Sequence, residues 1–293
     1  MVKLGSIVTA MITPFEENGA LHLGEAKRLA RWLVKRGNDG LVVAGSTGEG
    51  MALDDRERSA LVSAVKESVG GDACVIANAG TNETRGSIEA ARAMEAAGAD
   101  ALLSVVPYYN RPPQSGLLAH FGAIAKATKL PIILYNVPGR TATNMLPTTL
   151  IELARRHENI VGVKESSGDL KQFATILRDR PSGFTFFVGD DHLFLPGLSL
   201  GADGIVGVAS HLCSREFAMM RDAFRGGRLD DAAALHLQLL GLFELLFATS
   251  SPIPIKWAMA QLGFDVGACR LPLDGMPEEL AHRLKPLLAS FQP

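Results

Sequence analysis

The sequence predicts an α/β protein, a (β/α)8 TIM barrel carrying a C-terminal helical appendage. Two observations carry the prediction. Eight short runs rich in Val, Ile and Leu alternate with segments of helical period, and a weak internal repeat marks where helices hand over to strands. Continuous apolar runs of this length suit strands buried on both faces of a parallel sheet. Eight such strand–helix units close a barrel, with a doubly wound open sheet as the lesser alternative.

The runs lie at 6–12, 40–44, 74–79, 101–106, 131–136, 160–164, 185–189 and 204–208. Between the first two, 24–36 places Leu29, Ala30, Leu33 and Val34 on one helix face, and 55–69 does the same with Leu61, Val62 and Val65. Asp54 with Glu57 three residues on forms a capping box for the second helix, Asp standing in for Ser or Thr. The repeat is Gly37-Asn-Asp-Gly40, Gly98-Ala-Asp-Ala101 and Gly201-Ala-Asp-Gly204. In each, a glycine in the left-handed conformation ends a helix and a polar turn feeds the next strand. Beyond about residue 210 the strand signal stops. Segments 215–226, 229–248, 253–262 and 277–290 read as helices broken at Gly226-Gly227, Pro252, Pro254, Pro272 and Pro277. The barrel is assigned to 1–225 and the helical region to 226–293.

Composition narrows the function. With 29 basic and 31 acidic side chains the net charge is -2, which offers nucleic acid or an anionic membrane no electrostatic hold. Cys74, Cys213 and Cys269 are odd in number and scattered, so they predict a reducing compartment and no disulfide framework. The N-terminal stretch lacks the organisation of a signal peptide. The apolar stretch 235–249 carries His236, Gln238 and Glu244 and reads as a core helix, so a cytoplasmic protein is expected. Seven histidines without H-E-x-x-H or paired spacing predict no metal site, and Asp190-Asp191 read as a helix cap.

Barrel active sites gather where strands end at the C-terminal face. Lys164 closes the run Asn159-Ile-Val-Gly-Val-Lys164. A lysine there is either a paired structural charge or an amine kept for Schiff-base chemistry, and the local pattern alone slightly favours the first. Gly45-Ser46-Thr47-Gly48-Glu49-Gly50 after the second run matches no P-loop or nucleophile elbow. Its hydroxyls and amides suit a small carboxylate, but the loop alone reads more simply as a tight turn with a hydroxyl cap. Tyr108-Tyr109 follow the fourth run, while Tyr135 and Arg140 end the fifth. A strand-end tyrosine is either a proton shuttle or a core aromatic, and Arg140 is either a carboxylate fork or a solvated charge. Their common placement with Lys164 tips the balance to chemistry.

In order and spacing, Gly45-Ser-Thr-Gly-Glu49, Pro107-Tyr-Tyr-Asn-Arg-Pro112, Tyr135-Asn-Val-Pro-Gly-Arg-Thr141, Gly162-Val-Lys-Glu165 and Gly189-Asp-Asp191 resemble the pyruvate-dependent class I aldolase family, which includes the N-acetylneuraminate lyases. The resemblance covers nearly the whole chain and is closest to the 4-hydroxy-tetrahydrodipicolinate synthase branch, where the arginine of Y-N-V-P-G-R-T is typical. It implies that pyruvate forms an imine on Lys164 without any other cofactor, and that L-aspartate-4-semialdehyde is the second substrate. Tyr135 would shuttle protons in a relay completed by Ser46 and by Tyr109 of a neighbouring subunit. Thr47 would hold the pyruvate carboxylate and Arg140 that of the semialdehyde. The Val206 carbonyl would face the site near Gly189. A dimer at least is implied, and a dimer of dimers is the family's habit. The alternative is a sister aldolase acting on a sugar acid or 4-hydroxy-2-oxoglutarate.

The chain departs from the synthase pattern at Ser46, where threonine is commoner, and at Asn78-Ala79-Gly80, where Gly-Thr-Gly is usual. At the family's lysine-feedback positions it keeps Asn82 and Tyr108 but carries Asp55, Arg58 and Gly86. No glutamate is left there to hold lysine's α-ammonium, so weak or absent inhibition by lysine is expected.

Overall fold

The computed structural model describes residues 2–291. Eight parallel strands close in sequence order into a barrel: β1 Ile7–Ala10, β2 Gly40–Val43, β3 Cys74–Asn78, β4 Ala101–Val105, β5 Ile132–Asn136, β6 Ile160–Glu165, β7 Thr185–Val188 and β8 Gly204–Gly207. The ring shuts where Val8 of β1 stands beside Val206 of β8. All eight expected runs are strands, each trimmed or extended by a residue or two at its ends.

The strands are apolar throughout because both faces are covered. Val8, Val42, Ile76, Leu103, Ile133 and Phe187 belong to a small cluster filling the barrel. Their chain neighbours Leu41, Val75, Leu102, Leu134 and Phe186 join the larger cluster between sheet and helices. Gly37, Gly98 and Gly201 take φ of +100°, +91° and +99°, as the turn repeat predicts. They let each helix stop and reverse within a few residues. The capping box is present, with the Glu57 amide donating to Asp54 Oδ1 at 2.8 Å and the Asp54 amide to Glu57 Oε2 at 3.0 Å.

After β8 the chain is helical. A helix Ser210–Arg225 starts five residues earlier than its sequence pattern suggests, and helices Leu229–Leu246, Ile253–Gln261 and Glu278–Leu284 follow, the last running into a 3-10 turn. The stretch expected as a core helix buries Leu239, Leu242, Phe243, Leu245 and Leu246. Among the described residues no helix is long and apolar enough to cross a membrane.

Candidate functional site

The site is built on β5 and β6, where Tyr135 and Lys164 are register partners at the C-terminal end of the barrel. Both side chains are buried, Tyr135 at 7% and Lys164 at 5% exposure, and the Lys164 Nζ stands 4.3 Å from the centre of the Tyr135 ring. Among the described residues no carboxylate or carbonyl accepts from that ammonium. The paired-structural reading of Lys164 therefore fails. A buried lysine with no hydrogen-bond acceptor keeps its amine open to an incoming carbonyl, with the ring beside it and carboxyl groups only at longer range.

Gly189, directly after β7, makes the room. A Cβ there would come 1.9 Å from Ser166 Oγ and 3.1 Å from Lys164 Cε, so any side chain would collide with Ser166 and crowd the Lys164 arm. Val206 packs in the same interior cluster as Tyr135. It lies one residue along β8 from Ile205, the partner of Val188, and so beside Gly189.

A cavity of about 230 Å³ opens in front of Tyr135, lined also by Ser46, Asn78, Tyr108, Val137 and Arg140. Arg140 is exposed, on the short helix Pro138–Thr141. Thr47 is buried at 5% exposure next to Ser46. The 45–50 loop is a tight turn, closed by the Glu49 amide to the Ser46 carbonyl at 3.1 Å and the Gly50 amide to the Gly45 carbonyl at 2.9 Å. The expected hydroxyl cap is missing: neither Ser46 nor Thr47 spends its side chain on the loop. Lys164, Thr47, Gly189 and Val206 sit behind the lining of that cavity, whereas Tyr109 points to solvent, 88% exposed and with a left-handed φ of +75°.

Asp190 and Asp191 correct the sequence reading. Neither side chain caps the turn they open. Asp191 instead accepts from the amides of Ala209 at 2.9 Å and Val208 at 3.1 Å, stitching the exit of β7 to that of β8. Burial pushes its carboxyl up to about 7, against the pull of those amides. Asp190 is also pushed up by burial, while Lys164, His192 and Arg140 hold it down, which places a carboxyl group within the field of both cationic site residues.

A second set of residues escaped sequence reasoning. Glu165, fully buried on the outer side of β6, accepts from Asn136 Nδ2 at 3.0 Å, the Ser167 amide at 2.8 Å and Gln172 Nε2 at 3.2 Å. Burial raises its carboxyl and these donors pull it back. The network locks the two strand ends that carry Tyr135 and Lys164. Only its position beside the lysine hinted at it. Among the described residues no group of three His, Cys, Asp or Glu is arranged to hold a metal.

The profile of the Dihydrodipicolinate synthetase family matches residues 3–290. The 4-hydroxy-tetrahydrodipicolinate synthase of Moorella thermoacetica is 50% identical over 283 residues, 97% of each chain. Among solved structures, a dihydrodipicolinate synthase from Bacillus anthracis superposes with a TM-score of 0.97 at 38% identity over 100% of both chains. The enzyme from Cyanidioschyzon merolae, solved with lysine bound, gives 0.96 at 44% identity over 98% of both.

Proposed function

The chain belongs to the Dihydrodipicolinate synthetase family, and on that footing we propose that it condenses pyruvate with L-aspartate-4-semialdehyde to 4-hydroxy-tetrahydrodipicolinate. The step lies in diaminopimelate and lysine biosynthesis. The observation that carries the reading is Lys164, enclosed against Tyr135 and without an acceptor among the described residues.

The neutral Lys164 amine adds to the keto carbon of pyruvate, and water leaves to give an imine; no further cofactor enters. Loss of a methyl proton turns the imine into an enamine. Its carbon attacks the aldehyde, and the aldehyde oxygen takes up a proton. The substrate's own amine then displaces Lys164 from the imine carbon, closing the ring and freeing the enzyme. Tyr135 carries protons at each stage, with Ser46 and with Tyr109 from a neighbouring copy. Thr47 holds the pyruvate carboxylate. Arg140, unpaired at the cavity rim, receives the semialdehyde carboxylate as a two-pronged donor. The Val206 carbonyl and Gly189 frame the bound imine.

Because Tyr109 is exposed to solvent on the single chain while Tyr135, its assigned partner in the relay, is buried, the working unit is a homo-oligomer of two copies at least, and a dimer of dimers in full. The barrel, 1–225, supplies the chemistry and 226–293 the support, in the cytoplasm. At the feedback positions Arg58 is paired with Asp55, and Gly86 gives its amide to Glu83 at 2.8 Å. Lysine therefore meets no free carboxylate there, and a submillimolar inhibition constant would overturn that reading.

The test is a coupled assay with pyruvate and aspartate-4-semialdehyde, the downstream reductase reporting product through NADPH. Turnover that disappears in Lys164→Ala supports the proposal. Arg140→Ala should raise the KM for the semialdehyde about tenfold or more, as expected for losing a charged hydrogen-bonded pair. An Arg140→Ala enzyme with unchanged KM would refute the carboxylate assignment.

A further inference from the structure

The loop that carries Ser46 and Thr47 is held in a backbone conformation it would not keep alone. It is entered through Ala44 at φ +55° and left through Glu49 at φ +53°, both left-handed and neither glycine. Such residues persist only where their surroundings hold them.

Two sets of contacts hold this loop. From the end of β1, Thr13 Oγ1 donates to the Gly48 carbonyl at 2.6 Å. From the helical region 207 residues further on, Lys256 Nζ donates to Glu49 Oε1 at 2.7 Å, and the Arg270 amide donates to Glu49 Oε2 at 2.8 Å. The ion pair is closed to solvent, its side chains 3% and 1% exposed. Lys256 also donates to the Ala268 carbonyl at 2.9 Å and lies 4.1 Å over the Phe15 ring, which Arg270 covers at 4.4 Å. The Arg270 guanidinium reaches on to the Gly19 and Ala52 carbonyls, at 2.7 Å each, and to Glu57. None of these groups lines the cavity in front of Tyr135.

We propose that Glu49 is a positioning residue, through which Lys256 and the Arg270 amide fix the loop that presents Ser46 and Thr47 to pyruvate. The helical appendage is then part of the pyruvate site although it touches no substrate. The inference rests on the assignment of Thr47 and Lys164 to pyruvate. It follows from the geometry of displacement: a loop freed at Glu49 relaxes its left-handed turn and moves hydroxyls that have no side-chain hydrogen bond among the described residues.

The experiment is borohydride trapping of pyruvate on Lys164 across a pyruvate titration, read by intact mass, beside thermal unfolding. Lys256→Met strands the Glu49 carboxylate and lowers the melting temperature; the double variant Glu49→Gln with Lys256→Met removes the stranded charge and recovers most of it. Both are expected to raise the half-saturating pyruvate concentration about tenfold, since small misplacements of binding groups cost that much or more. In the double variant the KM for the semialdehyde should stay within about twofold of the parent. If Lys256→Met does not fold, the double variant carries the test. A double variant that traps pyruvate at the parent's half-saturation overturns the positioning role. A parent chain that traps no pyruvate overturns the Schiff-base reading beneath it.

Discussion

Two lysines of this chain are buried almost equally, and only one has work left to do. Lys164 is 5% exposed and Lys256 2%; each ammonium faces an aromatic ring, at 4.3 Å from Tyr135 and 4.1 Å from Phe15. The difference is the acceptor. Lys256 is bound to Glu49 and the Ala268 carbonyl, and burial, which drags its ammonium below the ordinary range, is opposed by Glu49. Lys164 has no such partner among the described residues. Burial therefore does not separate the two amines; the want of an acceptor does, and it is the ground on which Lys164 is proposed as the nucleophile, because a lysine consumed by an ion pair cannot attack a carbonyl.

The sharpest break in the comparison is Lys164→Met. Turnover and pyruvate trapping should both vanish, while stability holds or rises, since a buried charge leaves without breaking a direct ion pair or hydrogen bond. Tyr135→Phe keeps the ring and removes the hydroxyl; kcat/KM should fall about 10²–10⁴-fold, the range for a lost proton-transfer group, with the fold intact. Lys256→Met should show the reverse balance, losing about 3–5 kcal/mol in urea unfolding because the Glu49 charge is left buried without its cation. A Lys256→Met protein as stable as its parent would erase the distinction between the two lysines.

The smallest effect concerns pH. His211 and His120 are buried imidazoles, each depressed by burial to about 4. In His211 burial is joined by Nε2, which accepts the Ile12 amide at 3.1 Å and so needs an unprotonated nitrogen, while the Nδ1 contact with the Val208 carbonyl at 2.8 Å pulls the other way. As pH falls from about 6.5 to about 4 the unfolded chain takes up protons that the native rings refuse. Stability then drops, by up to about 1.4 kcal/mol per pH unit for each ring. His120→Gln should flatten that acid limb in urea melts taken at stepped pH. A limb of unchanged slope would show that His120 binds its proton in the native state.

Much of this was legible beforehand for a physical reason. Parallel strands covered on both faces must be apolar end to end, so β1–β8 show as runs, and the Gly37, Gly98 and Gly201 turns punctuate them. Barrel closure brings strand ends together, so Tyr135 and Lys164 could be grouped from position alone. The Asp190–Asp191 cap failed because a local motif was asked to explain a contact made with Val208 and Ala209, on the next strand's exit. The role of Glu165 is not legible in the sequence because its donors, Asn136 and Gln172, come from separate elements.

What the sequence by itself determined is the list of elements, their order around the barrel and the strand ends where chemistry gathers. Those depend on period, turn residues and chain connectivity, all local. Which buried charge is paired was decided only by tertiary structure. Glu49 meets Lys256 across 207 residues, and Lys164 meets no acceptor among the described residues. A pairing is a property of distances between elements, and hydrophobic pattern fixes which faces are buried without fixing which polar atoms meet there.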